Sequence, residues 1–160
     1  MPRLSAVRAS APDLVATATL SVETKGEGLV EITRDARDFI AQAGAGDGML
    51  YAFVRHTSAS LAIQENADPD VRVDLVTALR RLAPSDAGWV HDTEGPDDMP
   101  AHVKAMLTGV SLHVPVVRGE LALGTWQGLY LIEHRARPHR REIVLQFVGS
   151  RMAKPSLRGA

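Results

Sequence analysis

The chain has 160 residues, of which 45% are hydrophobic and 23% charged, as in one globular domain large enough to bury its own core. It has no cysteine, which excludes disulfide bonds and thiolate chemistry and suits a reducing cytoplasm. No apolar run approaches the roughly 20 residues needed to cross a bilayer, so we expect a cytoplasmic protein with no membrane partner.

Positive charge collects near the C-terminus. Residues 134–160 contain seven Lys or Arg and one acidic residue, Glu142, although the whole chain has a formal net charge of −1. No stacking aromatic residues interleave with these basic residues, so we expect no nucleic-acid partner. The composition predicts a flexible tail at residues 1–12, one domain at residues 13–150 and a basic tail at residues 151–160.

In the first half of the chain, short β-rich segments surround one helical pattern. Thr33 is the expected N-cap of a helix that runs to Ala43, because apolar residues recur there at helical spacing. We expect the glycines at positions 44, 46 and 48 to end this helix. The predicted strands are residues 14–23, 29–32, 49–55 and 60–64.

In the second half, Asp68 and Pro69 are typical of a helix start, with an acidic N-cap followed by proline at the first helical position. This helix is expected to run to Leu82, and a shorter helix that opens at Pro100 is expected to end at Gly109. The predicted strands are residues 111–117, 128–134 and 142–148, with a loop at residues 135–141. Strands outnumber helices, which favours an α+β fold with mainly antiparallel sheets and a few helices.

A first polar segment runs from His56 to Asp70 and interrupts two otherwise apolar strands. It ends at the predicted helix start, where exposed N–H groups attract anions. The segment is therefore a candidate binding site. The alternative is that its polar residues only form turns and caps. The candidate site residues here are His56, Thr57, Ser58, Glu65 and Asn66.

A second polar segment, residues 91–102, places four carboxylates between His91 and His102. Imidazole nitrogen and carboxylate oxygen together suit zinc, manganese or iron better than magnesium. The two histidines are therefore candidate metal ligands. The alternative is an acidic, solvated loop with two incidental histidines, because their spacing matches no standard zinc motif.

Two further features lie later in the chain. Trp126 and Gln127 stand between two glycines, either to contact a ligand or to form a hairpin turn with a buried tryptophan. Glu133 shares a predicted strand face with apolar residues, and a carboxylate on such a face requires a partner. We expect three other histidines to be ordinary surface or strand-face residues: His113, His134 and His139.

These segments resemble the YjbQ family, often called the secondary thiamine-phosphate synthase family. The resemblance rests on HTSAS at residues 56–60, QENADPD at 64–70, EGPDDMPAH at 94–102 and LALGTWQG at 121–128. His91, Glu133 and the Arg140-Arg141 pair complete it, and it spans residues 13–150. It implies a compact α+β domain that assembles as a homotrimer, with the polar residues near the subunit boundaries.

The resemblance also implies an activity, the joining of an aminopyrimidine diphosphate to a thiazole phosphate to give thiamine phosphate. Such chemistry requires a counter-charge for the departing diphosphate and close positioning of both substrates. We therefore predict a divalent metal, zinc or magnesium, held by His91 and His102 with a carboxylate such as Glu133. The predicted catalytic residues are His56, Glu65, His102 and Glu133. The predicted substrate-binding residues are Thr57, Ser58, Asn66, Trp126, Gln127 and Arg141.

Two other functions fit the same residues. One is a metal-dependent hydrolase of a small phosphorylated or cyclic substrate, because a histidine-rich site suits a softer metal than magnesium, which prefers oxygen ligands. The other is a non-catalytic homotrimer that binds a small metabolite. Bound metal would favour the first, and stabilisation by a ligand that is never turned over would favour the second.

Overall fold

The computed structural model describes residues 3–153 of the chain. Its strands are β1 (Leu14–Glu23), β2 (Gly28–Glu31), β3 (Ala45–Val54), β4 (Ala59–Glu65), β5 (Ser111–Val117), β6 (Glu120–Leu121), β7 (Gln127–Glu133) and β8 (Arg140–Arg151). Its helices are α1 (Thr33–Gln42), α2 (Pro69–Leu82) and α3 (Asp98–Thr108). The predicted α+β fold class is confirmed. Within the described residues, every helix is too short or too polar to cross a membrane.

The strands form two antiparallel sheets. Sheet A has five strands in the order β1-β8-β3-β5-β6, and sheet B has three in the order β2-β7-β4. Along β3, Leu50 and Ala52 are buried while Tyr51 and Phe53 remain 40% and 48% exposed, because successive strand residues face opposite sides of a sheet. The inward-facing side chains of both sheets form one apolar core with Ile40 of α1.

Gly48 and Gly149 allow β3 and β8 to approach closely. A β-carbon on Gly149 would lie 2.3 Å from the backbone oxygen of Asp47, so a larger residue would push the strands apart. Gly46 and Gly48 lie inside β3, and the expectation that they end α1 is wrong. Gly44 alone follows the helix, where its φ of +61° suits glycine.

The two predicted helix starts have different outcomes. The Asp68 side chain accepts a hydrogen bond of 2.9 Å from the backbone N–H of Asp70, which confirms it as the N-cap of α2. Thr33 is not an N-cap but the first residue of α1. Its hydroxyl donates to Glu31 and accepts from the backbone N–H of Leu129, so it ties the helix to β7.

Three other elements differ from prediction. Helix α3 begins at Asp98, two residues before Pro100, because proline is tolerated within a first helical turn. Strand β8 runs from Arg140 to Arg151, longer than predicted, because β1 and β3 pair with its two edges. The short β6 was not predicted. Residues 154–160 of the predicted basic tail lie outside the described residues.

Candidate active site

The connection between β3 and β4 opens onto a groove of about 850 Å³. Its polar wall comes from this connection and from α3, and its apolar wall from the end of β3 and the C-terminal half of α3. The lining residues are Phe53, Val54, Arg55, His56, Thr57, Ser58, His102, Ala105, Met106, Gly109 and Val110. The groove therefore brings part of the first polar segment against His102 of the second.

A cluster of two histidines and one aspartate forms at the start of α3. His91 Nε2 lies 2.8 Å from Asp98 Oδ2, and His102 Nε2 lies 3.4 Å from the same oxygen. Asp98 and His102 are four residues apart, so they lie on one face of the helix. One ligand atom from each of the three residues lies within 4.8 Å of the others. We call these three residues the His-Asp-His cluster.

Neighbouring groups orient the His-Asp-His cluster. His102 Nδ1 lies 3.0 Å from the backbone carbonyl oxygen of Thr57. Because a carbonyl oxygen can only accept, the ring hydrogen is on Nδ1 and the lone pair is on Nε2. Asp98 is 2% exposed, and its second oxygen accepts a hydrogen bond from Arg135. This chemistry fits a divalent metal, because metal-binding histidines commonly donate their other N–H to a carbonyl.

Glu133 and Arg141 form a buried ion pair beside the groove. Arg141 Nη2 donates to Glu133 Oε1 at 2.6 Å, and Arg141 Nε donates to Glu133 Oε2 at 2.7 Å. The hydroxyl of Thr24 also donates to Glu133, and Arg141 Nη2 donates to Ser58 Oγ at 3.1 Å. The pair therefore holds the β3–β4 connection against the ends of β7 and β8.

Burial and the neighbouring Arg141 shift the pKa values of Glu133 and His56. Burial raises the pKa of Glu133, but hydrogen bonds from Arg141 and from the backbone N–H of Arg135 outweigh it and hold the pKa below its ordinary value. Burial lowers the pKa of His56, and the positive charge of Arg141 lowers it further. The Arg141 Nη1 atom lies 3.4 Å from His56 Nδ1. The lowered pKa favours the neutral form of His56, the form that a general base requires.

His134 is buried, so its interpretation as a surface histidine is wrong. It is 2% exposed, and its Nε2 lies 2.8 Å from the hydroxyl of Ser60. Burial lowers its pKa to about 4, with a further contribution from the charge of Lys104. The sequence signal was its position at the end of an apolar strand next to the buried Glu133.

The sequence profile described as "UPF0047 protein YjbQ-like" matches residues 18–150. The chain belongs to the YjbQ family. A UPF0047 protein of Synechocystis is 48% identical over 81% of this chain and 89% of its own length. The UPF0047 protein YjbQ of Salmonella typhimurium is 41% identical over 82% of this chain and 96% of its own length.

Solved structures of similar sequence have the same fold. A YjbQ/UPF0047 family protein of Clostridium acetobutylicum, described as uncharacterized, superimposes with a TM-score of 0.76 at 34% identity and covers 81% of this chain and 98% of its own. A conserved hypothetical protein of Thermus thermophilus gives 0.70 at 40% identity over 79% of this chain and 97% of its own. These relatives support the YjbQ fold and leave the reaction open.

In this YjbQ-family chain the predicted site residues divide between two ends of sheet B. Ala59 of β4 pairs with Glu133 of β7, whereas Glu65 pairs with Gln127. Six residues of strand separate the two ends, which corresponds to about 20 Å. Glu65, Gln127 and their neighbours therefore do not meet the His-Asp-His cluster within one chain.

At the far end, some of the polar groups have local partners. The side-chain oxygen of Gln127 accepts from the backbone N–H of Gly124 at 2.8 Å, and the backbone N–H of Asn66 donates to Trp126. Trp126 itself is 64% exposed, so it is not the buried tryptophan of a hairpin. Its indole ring is open to a ligand or to a second chain.

The carboxylate beside the two candidate metal ligands is Asp98, whereas Glu133 is paired with Arg141. Asp98 lies in the polar segment that the sequence singled out, but nothing in the spacing distinguished it from Asp97. Arg135 was also missed. It contacts Asp97, Asp98 and the backbone oxygen of Glu94, and so fixes the loop that carries the cluster.

Proposed function

We propose that this protein is a metal-dependent enzyme whose active site is the His-Asp-His cluster together with the adjoining groove. The observation that supports this most is the convergence of His91, Asp98 and His102 on one point beside a groove that also exposes His56. We further propose that its reaction is the thiamine-phosphate-synthase-like transfer that the family resemblance implies, in the cytoplasm, where a cysteine-free chain suits the reducing conditions.

The cluster is suited to a divalent metal of the zinc type. Two imidazole nitrogens and one carboxylate oxygen match the ligand chemistry of zinc, manganese or iron, and leave further positions open to substrate. A metal bound here would supply positive charge to the oxygens of a diphosphate. His102 is held for this role by its contact with the Thr57 carbonyl, and Asp98 by Arg135.

The remaining groups of the groove would bind and orient the substrate. Neutral His56 would accept a proton from a substrate group, since its pKa lies below the ordinary value. Ser58 is held by Arg141, whose charge is balanced by Glu133, so Ser58 and Thr57 would hydrogen-bond substrate oxygens from a rigid connection. Arg141 does not line the groove, and the guanidinium nitrogen that Glu133 leaves free, Nη1, lies against His56. Arg141 would therefore act on a phosphate oxygen through its positive charge.

A homotrimer would bring the two ends of sheet B together. Glu65 is predicted to be catalytic, and Asn66, Trp126 and Gln127 are predicted to bind substrate, yet these residues lie about 20 Å from Glu133 within one chain. In a trimer, the far end of one subunit would lie against the groove of its neighbour. The exposed Trp126 would then stack on the ring of the bound substrate.

The test of transfer uses purified protein, both phosphorylated substrates and a series of divalent metals. We expect thiamine phosphate to form in the wild type, and to be lost in the His91→Ala, His102→Ala double variant. There are two controls. His113→Ala removes an exposed histidine on β5 that contacts Tyr51, and Arg37→Ala removes an exposed side chain of α1. If no metal supports product formation while a known synthase works under the same conditions, transfer is excluded.

A second candidate is a metal-dependent hydrolase of a small phosphorylated or cyclic substrate, which the ligand set of the cluster favours. Two histidines and a carboxylate are typical of hydrolytic zinc sites, where bound water is activated near neutral pH. His56 would accept the proton of the attacking water. The test is phosphate release from cyclic and linear phosphoesters by protein of known metal content.

Metal content separates both enzymatic functions from a metabolite-binding role. We expect about one metal per chain by elemental analysis in the wild type and in His113→Ala, and none in the double variant, with unchanged circular dichroism. A wild type that binds no divalent metal at any concentration tested would contradict both enzymatic proposals. A ligand that raises the melting temperature and is never converted would then indicate binding alone.

A further inference from the structure

The groove beside the His-Asp-His cluster is polar on one side and apolar on the other. Its polar side consists of His102 and the β3–β4 connection. Its apolar side includes Phe53 near the end of β3, Ala105 and Met106 of α3, and Val110 just after α3. The volume of about 850 Å³ lies within the range of small-molecule sites. A small molecule in this groove would therefore contact the proposed metal site and an apolar surface at once.

One row of side chains on α3 connects the two sides. Asp98, His102 and Met106 are spaced four residues apart, so they lie on the same face of the helix. The first two belong to the His-Asp-His cluster, and the third is apolar. Side chains at this spacing have their β-carbons about 5–6 Å apart. The apolar surface of Met106 therefore begins about one helical turn from the proposed metal ligand His102.

Met106 leaves an unusually large apolar surface open to solvent. It is 78% exposed, and Phe53, which lines the same groove, is 48% exposed. Ala105 is buried between them in sequence position and size, since it adds only a methyl group to the groove. Exposed apolar surface next to a few polar groups is typical of a ligand site. Methionine is unbranched and polarizable, and it makes favourable contacts with aromatic rings.

The position of this surface beside the His-Asp-His cluster indicates its occupant. A metal with two imidazole ligands and one carboxylate has positions open to an oxygen of the substrate. The rest of that molecule would then lie along the row of α3, against Met106. A strongly hydrated body, such as a sugar, would lose hydrogen bonds to water there without replacement. An apolar body would instead remove the Met106 surface from water.

We propose that the phosphorylated substrate of this site carries an apolar ring close to its phosphoryl group, and that Met106 selects the ring. The phosphoryl oxygens lie at the His-Asp-His cluster, and the ring packs against Met106 about one helical turn away. The inference rests on the proposed metal-dependent function and extends it by naming the substrate class and a specificity-determining residue.

The test measures the binding of two phosphonates to zinc-loaded protein, without turnover. Phenylphosphonate and methylphosphonate share the metal-binding group and differ in the apolar group. We expect phenylphosphonate to bind at least about tenfold more tightly in isothermal titration calorimetry, because its ring removes apolar surface from water. In protein labelled with ¹³C at the methionine methyl groups, phenylphosphonate should shift the Met106 signal by its ring current, and methylphosphonate should not.

Paired variants of α3 locate the ring. Met106→Ala should lower the preference for phenylphosphonate at least about threefold, because the sulfur–aromatic contact is lost. Leu107→Ala is the matched control, since Leu107 is also exposed, at 55%, and does not line the groove. It should keep the wild-type preference. Both variants should bind zinc and methylphosphonate as the wild type does, and both should keep the wild-type mass in solution.

Three results would overturn the inference. Equal affinities of zinc-loaded wild type for the two phosphonates would show that the groove does not select a ring, although the metal site is present. An unchanged preference in Met106→Ala would place the ring elsewhere. A change of mass in Met106→Ala alone would assign the apolar side of the groove to a contact between chains.

Failure of the proposed function has a different signature. The wild type would then bind neither zinc nor methylphosphonate, and the inference about Met106 would be rejected together with the metal site.

Discussion

Glu133 and Arg141 are the most deeply buried ion pair among the described residues, at 0% and 4% side-chain exposure. Glu133→Gln would leave the Arg141 charge without its partner in a desolvated position. We expect the free energy of unfolding to fall by about 3–5 kcal/mol, as for other broken buried pairs. Urea denaturation measures this change.

The matched control for this prediction is Glu142→Gln, since Glu142 pairs with Arg55 at the surface. An exposed pair contributes at most about 1 kcal/mol. Equal losses in Glu133→Gln and Glu142→Gln would show that burial of the Glu133–Arg141 pair has no special effect on stability.

His134 makes the stability of the protein depend on pH. Burial lowers its pKa in the folded state to about 4, whereas an unfolded chain keeps the ordinary value of 6.5. Between these values the unfolded state binds a proton that the folded state does not. The contribution is therefore fully present above pH 6.5 and is lost as the pH falls toward 4, by about 3 kcal/mol in total.

Urea denaturation at pH 7 and at pH 4.5 checks this prediction. His134→Gln should lose less stability between the two pH values than the wild type does, whatever its stability at pH 7. His113→Gln, an exposed histidine, should follow the wild type. A wild-type pH dependence in His134→Gln would mean that other groups cause it.

At the scale of the element, the stability of helix α2 depends more on the residues at its ends than on packing against the core. None of its residues 69–82, all of which the structure describes, is fully buried, and Val73 and Leu82 are 63% and 66% exposed. The Asp68 cap and Pro69 therefore largely determine where α2 begins. The apolar stripe predicted from the sequence is only partly covered within one chain.

Asp68→Ala should destabilise the protein by about 1 kcal/mol, because the N–H of Asp70 loses its acceptor. Asp68→Asn keeps an oxygen at the cap. It should lower the free energy of unfolding by only a few tenths of a kcal/mol. Thermal denaturation of both variants checks this. Equal melting temperatures for Asp68→Ala and the wild type would show that the cap does not limit stability.

At the scale of the whole molecule, the outer face of sheet A exposes several apolar side chains. Tyr51 and Phe53 of β3 are 40% and 48% exposed there, and Val15 of β1 and Val117 of β5 are exposed further along the same face. Exposed aromatic side chains of this kind are typical of an interface between subunits. It agrees with the proposed homotrimer.

Light scattering during size-exclusion chromatography measures the assembly. We expect about three times the chain mass of 17.2 kDa for the wild type. The Tyr51→Glu, Phe53→Glu double variant should have the mass of one chain, since it places charges within an apolar interface. Thr17→Glu, on the same outer face beside Gln146, tests how far the interface extends. A wild type with the mass of one chain would exclude the trimer.

Local sequence determined the type of most elements. Alternation predicted the strands, and the Asp68-Pro69 pair predicted the start of α2, because both depend on backbone geometry and near neighbours. Thr33 misled the prediction because its hydroxyl bonds to β7, a contact that residues 33–43 alone do not reveal. Gly48 also misled the prediction. It does not end a helix but allows β3 to approach β8 closely.

The sequence by itself determined the fold class and the segments that hold the candidate site, through composition, periodicity and long family motifs. Only the tertiary structure decided which polar side chains meet. It placed Asp98 between His91 and His102, paired Glu133 with Arg141, and separated Glu65 from both groups. The physical reason is that such contacts follow from sheet register and helix packing, which join residues that are distant along the chain.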